Sequence, residues 1–88
     1  FSSNSSDNLV SAEGIEKQLI VYTDHALSRM RVRGVTKEMV RDTLVTPEQV
    51  GIGYEGRFLA YKNFGNRRIK VVYTKEDEKL VIITVIWD

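Results

Sequence analysis

The stretch HALSRMRVRG, His25 to Gly34, holds the only histidine of the chain and three arginines, with Asp24 as the nearest carboxylate. On a helix, His25, Arg29 and Arg33 fall at i, i+4 and i+8 and form one stripe. Like charges four residues apart repel mildly, so helix stability does not account for the pattern, whereas a polar ligand or a carboxylate partner does. Histidine ordinarily titrates near neutrality, at about 6.5. A place in the first helical turn disfavours its protonated form. These properties suit a general base for proton abstraction, with Arg29 and Arg33 as electrostatic help. They equally suit a helix-start histidine bonded to nearby backbone.

A second basic group lies between Arg57 and Lys70, which hold Arg57, Lys62, Arg67, Arg68 and Lys70 and no acid. Residues 1–22 carry three acids against one lysine. Local asymmetry of this kind can create an anion-binding face on a nearly neutral protein. If Gly65-Asn66 is a two-residue turn, Phe64 pairs with Arg67, Asn63 with Arg68 and Tyr61 with Lys70. If Lys75–Lys79 is a five-residue loop, Lys70 pairs with Thr84 and Val71 with Ile83. Tyr61, Lys70 and Thr84 then form a row across three strands, with Asn63 and Arg68 one step along and Arg57 on the same face. Cross-strand neighbours on one face have Cβ atoms about 5 Å apart. A phenol, an amine, a guanidinium and a hydroxyl therefore converge on one anion. Arg68 grips a phosphate bidentately and Lys70 serves as a point charge. A plain solvated sheet face would carry the same residue types.

The elements that must position these groups follow from periodicity. FSSNSSDN is rich in Ser and Asn without hydrophobic period, and residues 1–17 read as a flexible segment or linker. A chain beginning at Phe1 reads as a processed piece of something longer. Residues 18–88 form a single α+β domain. QLIVY, Gln18 to Tyr22, is a short strand-like run. Thr23 or Asp24 caps a helix over Asp24–Arg33, with Ala26, Leu27 and Met30 inward and Gly34 as its end. Thr36 caps a second helix over Lys37–Val45, with Met39, Val40 and Leu44 apolar and Pro47 beyond it. Strands follow at Gln49–Tyr54, Arg57–Phe64, Arg67–Tyr73 and Leu80–Trp87, with tight turns at Glu55-Gly56 and Gly65-Asn66. This predicts two N-terminal helices packed on a four-stranded antiparallel sheet. The helices should cover the face made of Phe58, Ala60, Ile69, Val71, Tyr73, Val81, Ile83, Val85 and Trp87, with Lys62 and Arg67 as misfits.

Composition narrows the chemistry. With 42% hydrophobic and 28% charged residues, the 88-residue chain suits one soluble globular core. No apolar run approaches a membrane span. One histidine and no cysteine leave no protein-built zinc site, and no cofactor is expected. Neither a phosphate-binding Gly-rich loop nor a nucleophile elbow is present. Glu76-Asp77-Glu78 is a solvated loop tip.

The stretch HALSRMRVRGV closely resembles the H-A-x-x-R-M-x-x-R-G-[IV] signature of a widespread family of small prokaryotic domains of unknown function. The layout after it agrees, with a second helix ending at TPEQV and strands ending in VIITVIW. The resemblance spans about Tyr22 to Trp87. That family is similar to the superfamily of barnase, the colicin ribonucleases and the RelE-type toxins. The resemblance implies a RelE- or barnase-like fold and a metal-independent ribonuclease. Such a toxin belongs to a toxin–antitoxin pair or forms the C-terminal part of a larger secreted toxin acting in the cytoplasm. It matches the family's histidine to His25 and its arginines to Arg29 and Arg33. By position it matches a strand cation to Arg68 and a late hydroxyl to Thr84.

Together these expectations describe a metal-independent endoribonuclease toxin that cleaves RNA, with tRNA as one candidate substrate, and leaves 2′,3′-cyclic phosphates. His25 deprotonates the ribose 2′-hydroxyl. Arg68 and Lys70 stabilise charge on the phosphoryl oxygens, Thr84 bonds a phosphate oxygen, and Tyr61 stacks a base or donates a proton. Arg29, Arg33, Arg57, Asn63 and Arg67 bind the RNA. An acidic immunity protein or antitoxin is the expected partner, and no membrane is. The rival expectation is a non-catalytic RNA- or protein-binding module using the same sheet face.

Overall fold

The computed structural model describes residues 19–76 and 79–88. The expected N-terminal segment, residues 1–17, lies outside them, as do Asp77 and Glu78 of the acidic loop tip. The elements run β1 (Leu19–Tyr22), α1 (Asp24–Arg33), α2 (Lys37–Val45), β2 (Gln49–Ile52), a 3₁₀ turn (Tyr54–Gly56), β3 (Phe58–Phe64), β4 (Arg67–Lys75) and β5 (Lys79–Trp87). They form one five-stranded mixed sheet in the order β1-β5-β4-β3-β2.

This corrects the expected four-stranded antiparallel sheet with N-terminal helices. Leu19–Tyr22 supplies a fifth strand ahead of both helices. It pairs in parallel with β5, Tyr22 opposite Ile82. A parallel partner requires a long crossover. Here the rest of the domain makes it, so no local turn signal marks the pairing.

Local chemistry sets the helix ends. Thr23 takes an extended conformation before α1, and its Oγ1 accepts from the Ala26 N–H at 3.1 Å. The same hydroxyl donates to the Ile82 carbonyl on β5 at 2.9 Å. At the far end Gly34 takes a left-handed φ of 73°, which a side chain would resist. There the Trp87 indole N–H donates to the Arg33 carbonyl at 2.9 Å. The helix is thus pinned to β5 at both ends. Thr36 caps α2, accepting from the Met39 N–H at 3.3 Å. Lys62, a misfit on the apolar face, reaches the other end of α2 and donates to the carbonyl and hydroxyl of Thr46 at 3.1 and 3.0 Å. A cation at a helix C-terminus meets the negative end of its dipole. Arg67, the other misfit, lies over the Trp87 ring at 5.5 Å.

Both helices cover one sheet face. Ala26, Met30, Val40 and Leu44 are buried against Ala60, Ile69, Val71, Tyr73, Leu80, Ile82 and Val85. Two expected core residues, Val81 and Ile83, are not in this set, and Leu80 and Ile82 replace them. The cause is an irregularity of the β4–β5 ladder. Val72 pairs with Thr84 but Tyr73 pairs with Ile82, so Ile83 is an extra residue on β5. Such a bulge inverts the inward–outward alternation of everything beyond it.

Replacing Thr23 by Ala removes a cap and a link to β5, and should cost about 1–2 kcal/mol in urea unfolding. Thr23→Ser should recover most of that loss. An alanine variant as stable as the wild type would contradict the role given to this hydroxyl. Burial also holds the Tyr73 phenol above its usual value of 10.0, and does the same at Tyr22, where Arg41 partly offsets it. The unfolded chain ionises these phenols first. Stability is therefore full below about pH 10 and falls as pH rises beyond it. Tyr73→Phe should flatten that alkaline decline, and an unchanged slope in denaturation at successive pH values would refute the assignment.

Candidate functional site

Strand alternation sorts the expected site residues into two groups. On the sheet face that no helix covers, β3 and β4 pair as expected, Asn63 with Arg68 and Tyr61 with Lys70. Tyr61, Arg68 and Lys70 therefore share this open face. Two one-residue shifts move the third strand. β4 extends to Lys75 and β5 begins at Lys79, so Leu80 pairs with Lys75 rather than Thr74, which corrects the expected five-residue loop over Lys75–Lys79. The bulge adds the second shift, so Lys70 pairs with Ile86, and Thr84 pairs with Val72. The expected row of Tyr61, Lys70 and Thr84 is thus Tyr61, Lys70 and Ile86, with Thr84 half-buried one diagonal step away.

His25 belongs to the other side. It is exposed on α1, whose Ala26 and Met30 are buried on the helix-covered face. The sheet lies between it and the cluster of Tyr61, Arg68 and Lys70. Arg29, also exposed, follows it along α1, and Arg33 is half-buried beside Trp87, its Nε buried without a hydrogen-bond partner. Arg67 lies over the Trp87 ring at the same end. The structure therefore does not bring the helix stripe and the sheet cations into one site.

The open face holds a hollow of about 510 Å³ lined by Ile52, Gly53, Tyr54, Arg57, Leu59, Lys70 and Val72. β3 and β4 contribute Leu59, Val72 and the half-buried Lys70. The tight β2–β3 turn contributes Tyr54 and Arg57. Glu55 and Gly56 both take left-handed φ, 56° and 78°, and the Arg57 N–H donates to the Tyr54 carbonyl at 3.0 Å. A two-residue turn with both central φ positive matches the twist of flanking strands. It leaves Tyr54 88% exposed. Tyr54 is thus outside the core and borders the hollow with Arg57 and Lys70.

No carboxylate lines the hollow. Among the described residues the one ion pair is Arg68 with Asp88, where Arg68 Nε and Nη2 donate to the same Asp88 oxygen at 3.0 and 2.5 Å. The Arg68 guanidinium also lies 5.4 Å over the Tyr61 ring. Asn63 is exposed beside this pair on β3. Arg57 and Lys70 thus remain available to an external anion, while Arg68 already holds a carboxylate. Sequence reasoning missed Tyr54 and Asp88. An aromatic directly before Glu55-Gly56 was the available signal for the first. The second depends on the β4–β5 register.

Among the described residues no group of His, Asp and Glu is placed to hold a metal ion, and no helix is long and apolar enough to cross a membrane. A family model described as a domain of unknown function, DUF4258, matches residues 22–87. No curated protein and no solved structure matches the chain.

Inorganic phosphate titrated at fixed pH should shift NMR resonances of Arg57 and Lys70 and leave the His25 ring signals in place. Parallel shifts at His25 would contradict the separation of the two faces.

Proposed function

The chain belongs to the DUF4258 family, and we propose that this member binds single-stranded RNA across the open face of its sheet. One observation carries the reading: two cations, Arg57 and Lys70, and a bare aromatic, Tyr54, border one hollow with an apolar floor of Leu59 and Val72. Single-stranded nucleic acid is held by cations that track phosphates and by aromatic rings on which bases stack. A duplex would present its bases already stacked on one another and leave Tyr54 nothing to stack on. Tyr61 and Arg68 extend the same surface by one row of the sheet.

The likeness of HALSRMRVRGV to the signature of toxin-related domains supports a second reading, an endoribonuclease toxin held in check by an acidic immunity protein or antitoxin. Its RNA would lie on the same basic face, which an acidic partner would cover with complementary charge. In that reading His25 is not the base for a phosphate held in the hollow, because the sheet separates them. Proton transfer would then fall to Tyr61 or Lys70, both on the open face.

Fluorescence anisotropy with a labelled oligouridylate tests both readings. Affinity should fall steeply with salt, since each phosphate contact releases counterions. Tyr54→Ala should cost about 1–3 kcal/mol, the worth of one stacked base. Arg57→Ala and Lys70→Ala should weaken binding and flatten the salt slope, and His25→Ala should leave both unchanged. Binding that ignores salt, or survives loss of Tyr54, Arg57 and Lys70, would refute the interface. RNA shortened on denaturing gels by the wild type but not by Lys70→Ala would establish the second reading. Cleavage lost only in His25→Ala would place the chemistry on the helix side.

A further inference from the structure

We infer that Arg68, seated over Tyr61, is a second phosphate subsite of the RNA path, and that the Asp88 carboxylate fills it until RNA displaces it. The inference rests on the reading of the open face given above.

The Arg68 fork is already used as an anion clamp. Its Nε and Nη2 converge on one Asp88 oxygen at 3.0 and 2.5 Å, the edge of the guanidinium that also grips phosphate. The ladder sets this up: the Asp88 N–H donates to the Arg68 carbonyl at 2.7 Å, which places Asp88, the residue just past β5, directly across from Arg68 on β4. Tyr61 supports the guanidinium from below at 5.4 Å. Tyr61 is also the cross-strand partner of Lys70, which lines the hollow. Arg68 and Lys70 stand two residues apart on one face of β4, about 7 Å along the strand. A strand of RNA with one phosphate at Lys70 therefore reaches Arg68 without leaving the sheet face.

Displacement is cheap. The side chains of Arg68 and Asp88 are 47% and 41% exposed, and an ion pair so open to water adds little stability. A phosphodiester brings the same charge to the same edge of the guanidinium. Asp88 then acts as a stand-in for phosphate that raises the threshold for binding.

The test is a double-mutant cycle on full-length protein, read by anisotropy with the labelled oligouridylate. Asp88→Asn frees Arg68, and affinity should rise about two- to fivefold, the worth of an exposed ion pair. The salt slope should stay close to that of the wild type, because the same phosphate contact at Arg68 forms in both complexes. In an Arg68→Ala background the same change should have no effect on either quantity. A rise that persists without Arg68 would mark a general charge effect and overturn the subsite, as would unchanged affinity in Asp88→Asn with its circular dichroism intact. The two readings fail separately. If wild type binds through Arg57 and Lys70 but Asp88→Asn gains nothing, only the subsite falls. If neither protein binds RNA, both fall.

Discussion

The Thr23 hydroxyl sits where β1 ends, α1 begins and β5 passes, and it is bonded to two of them at once: it accepts from the first turn of the helix and donates to Ile82. With the Trp87 indole gripping the other end of the helix, it lays α1 lengthwise on β5. The position of α1 then fixes which sheet face is buried. The second helix follows after Gly34 and covers β3 and β4 on the same side, so all the helical cover lies on one face. The opposite face is left bare, and its cations, phenols and hydroxyls are the groups available for contact.

What that face can do depends on how its charges are spent. Lys62 and Arg67, though they belong to the basic run, are committed to structure, one at the end of α2 and one over Trp87. Arg68 is held by Asp88. Arg57 and Lys70 remain, and they border the same hollow. Of five cations, two thus border the hollow, one is paired with Asp88, and two contact α2 and Trp87 on the other side. An even count of positive charge over Arg57–Lys70 hides this division, which only register and packing reveal.

Much of the fold is legible in the sequence because it rests on local chemistry. Thr23, Thr36 and Gly34 mark the helix ends, and Gly65-Asn66 sets the β3–β4 register by the geometry of a two-residue turn. The exceptions involve long-range partners. β1 has four residues and a partner far along the chain, so neither turn nor period betrays a parallel pair. The extra residue Ile83 leaves no mark in an unbroken run of β-branched residues, yet together with the pairing of Leu80 with Lys75 rather than Thr74 it moves Thr84 away from Lys70 and exchanges Val81 for Leu80 in the core. The separation of His25 from the sheet cations was implicit in the alternation itself. Helices that cover the apolar face carry their own side chains to that side, and Tyr61, Arg68 and Lys70 point to the other. It was the resemblance to ribonuclease toxins that joined the two groups into one catalytic set.

The central claim is that RNA lies on the open face of the sheet. Photocrosslinking tests it most directly, using an oligonucleotide substituted with 4-thiouridine and mapping the adducts by mass spectrometry. The account predicts adducts on Tyr54 and Tyr61 and on the peptides of β3 and β4 that carry Arg57 and Lys70. Adducts confined to α1, along His25 and Arg29, would contradict it.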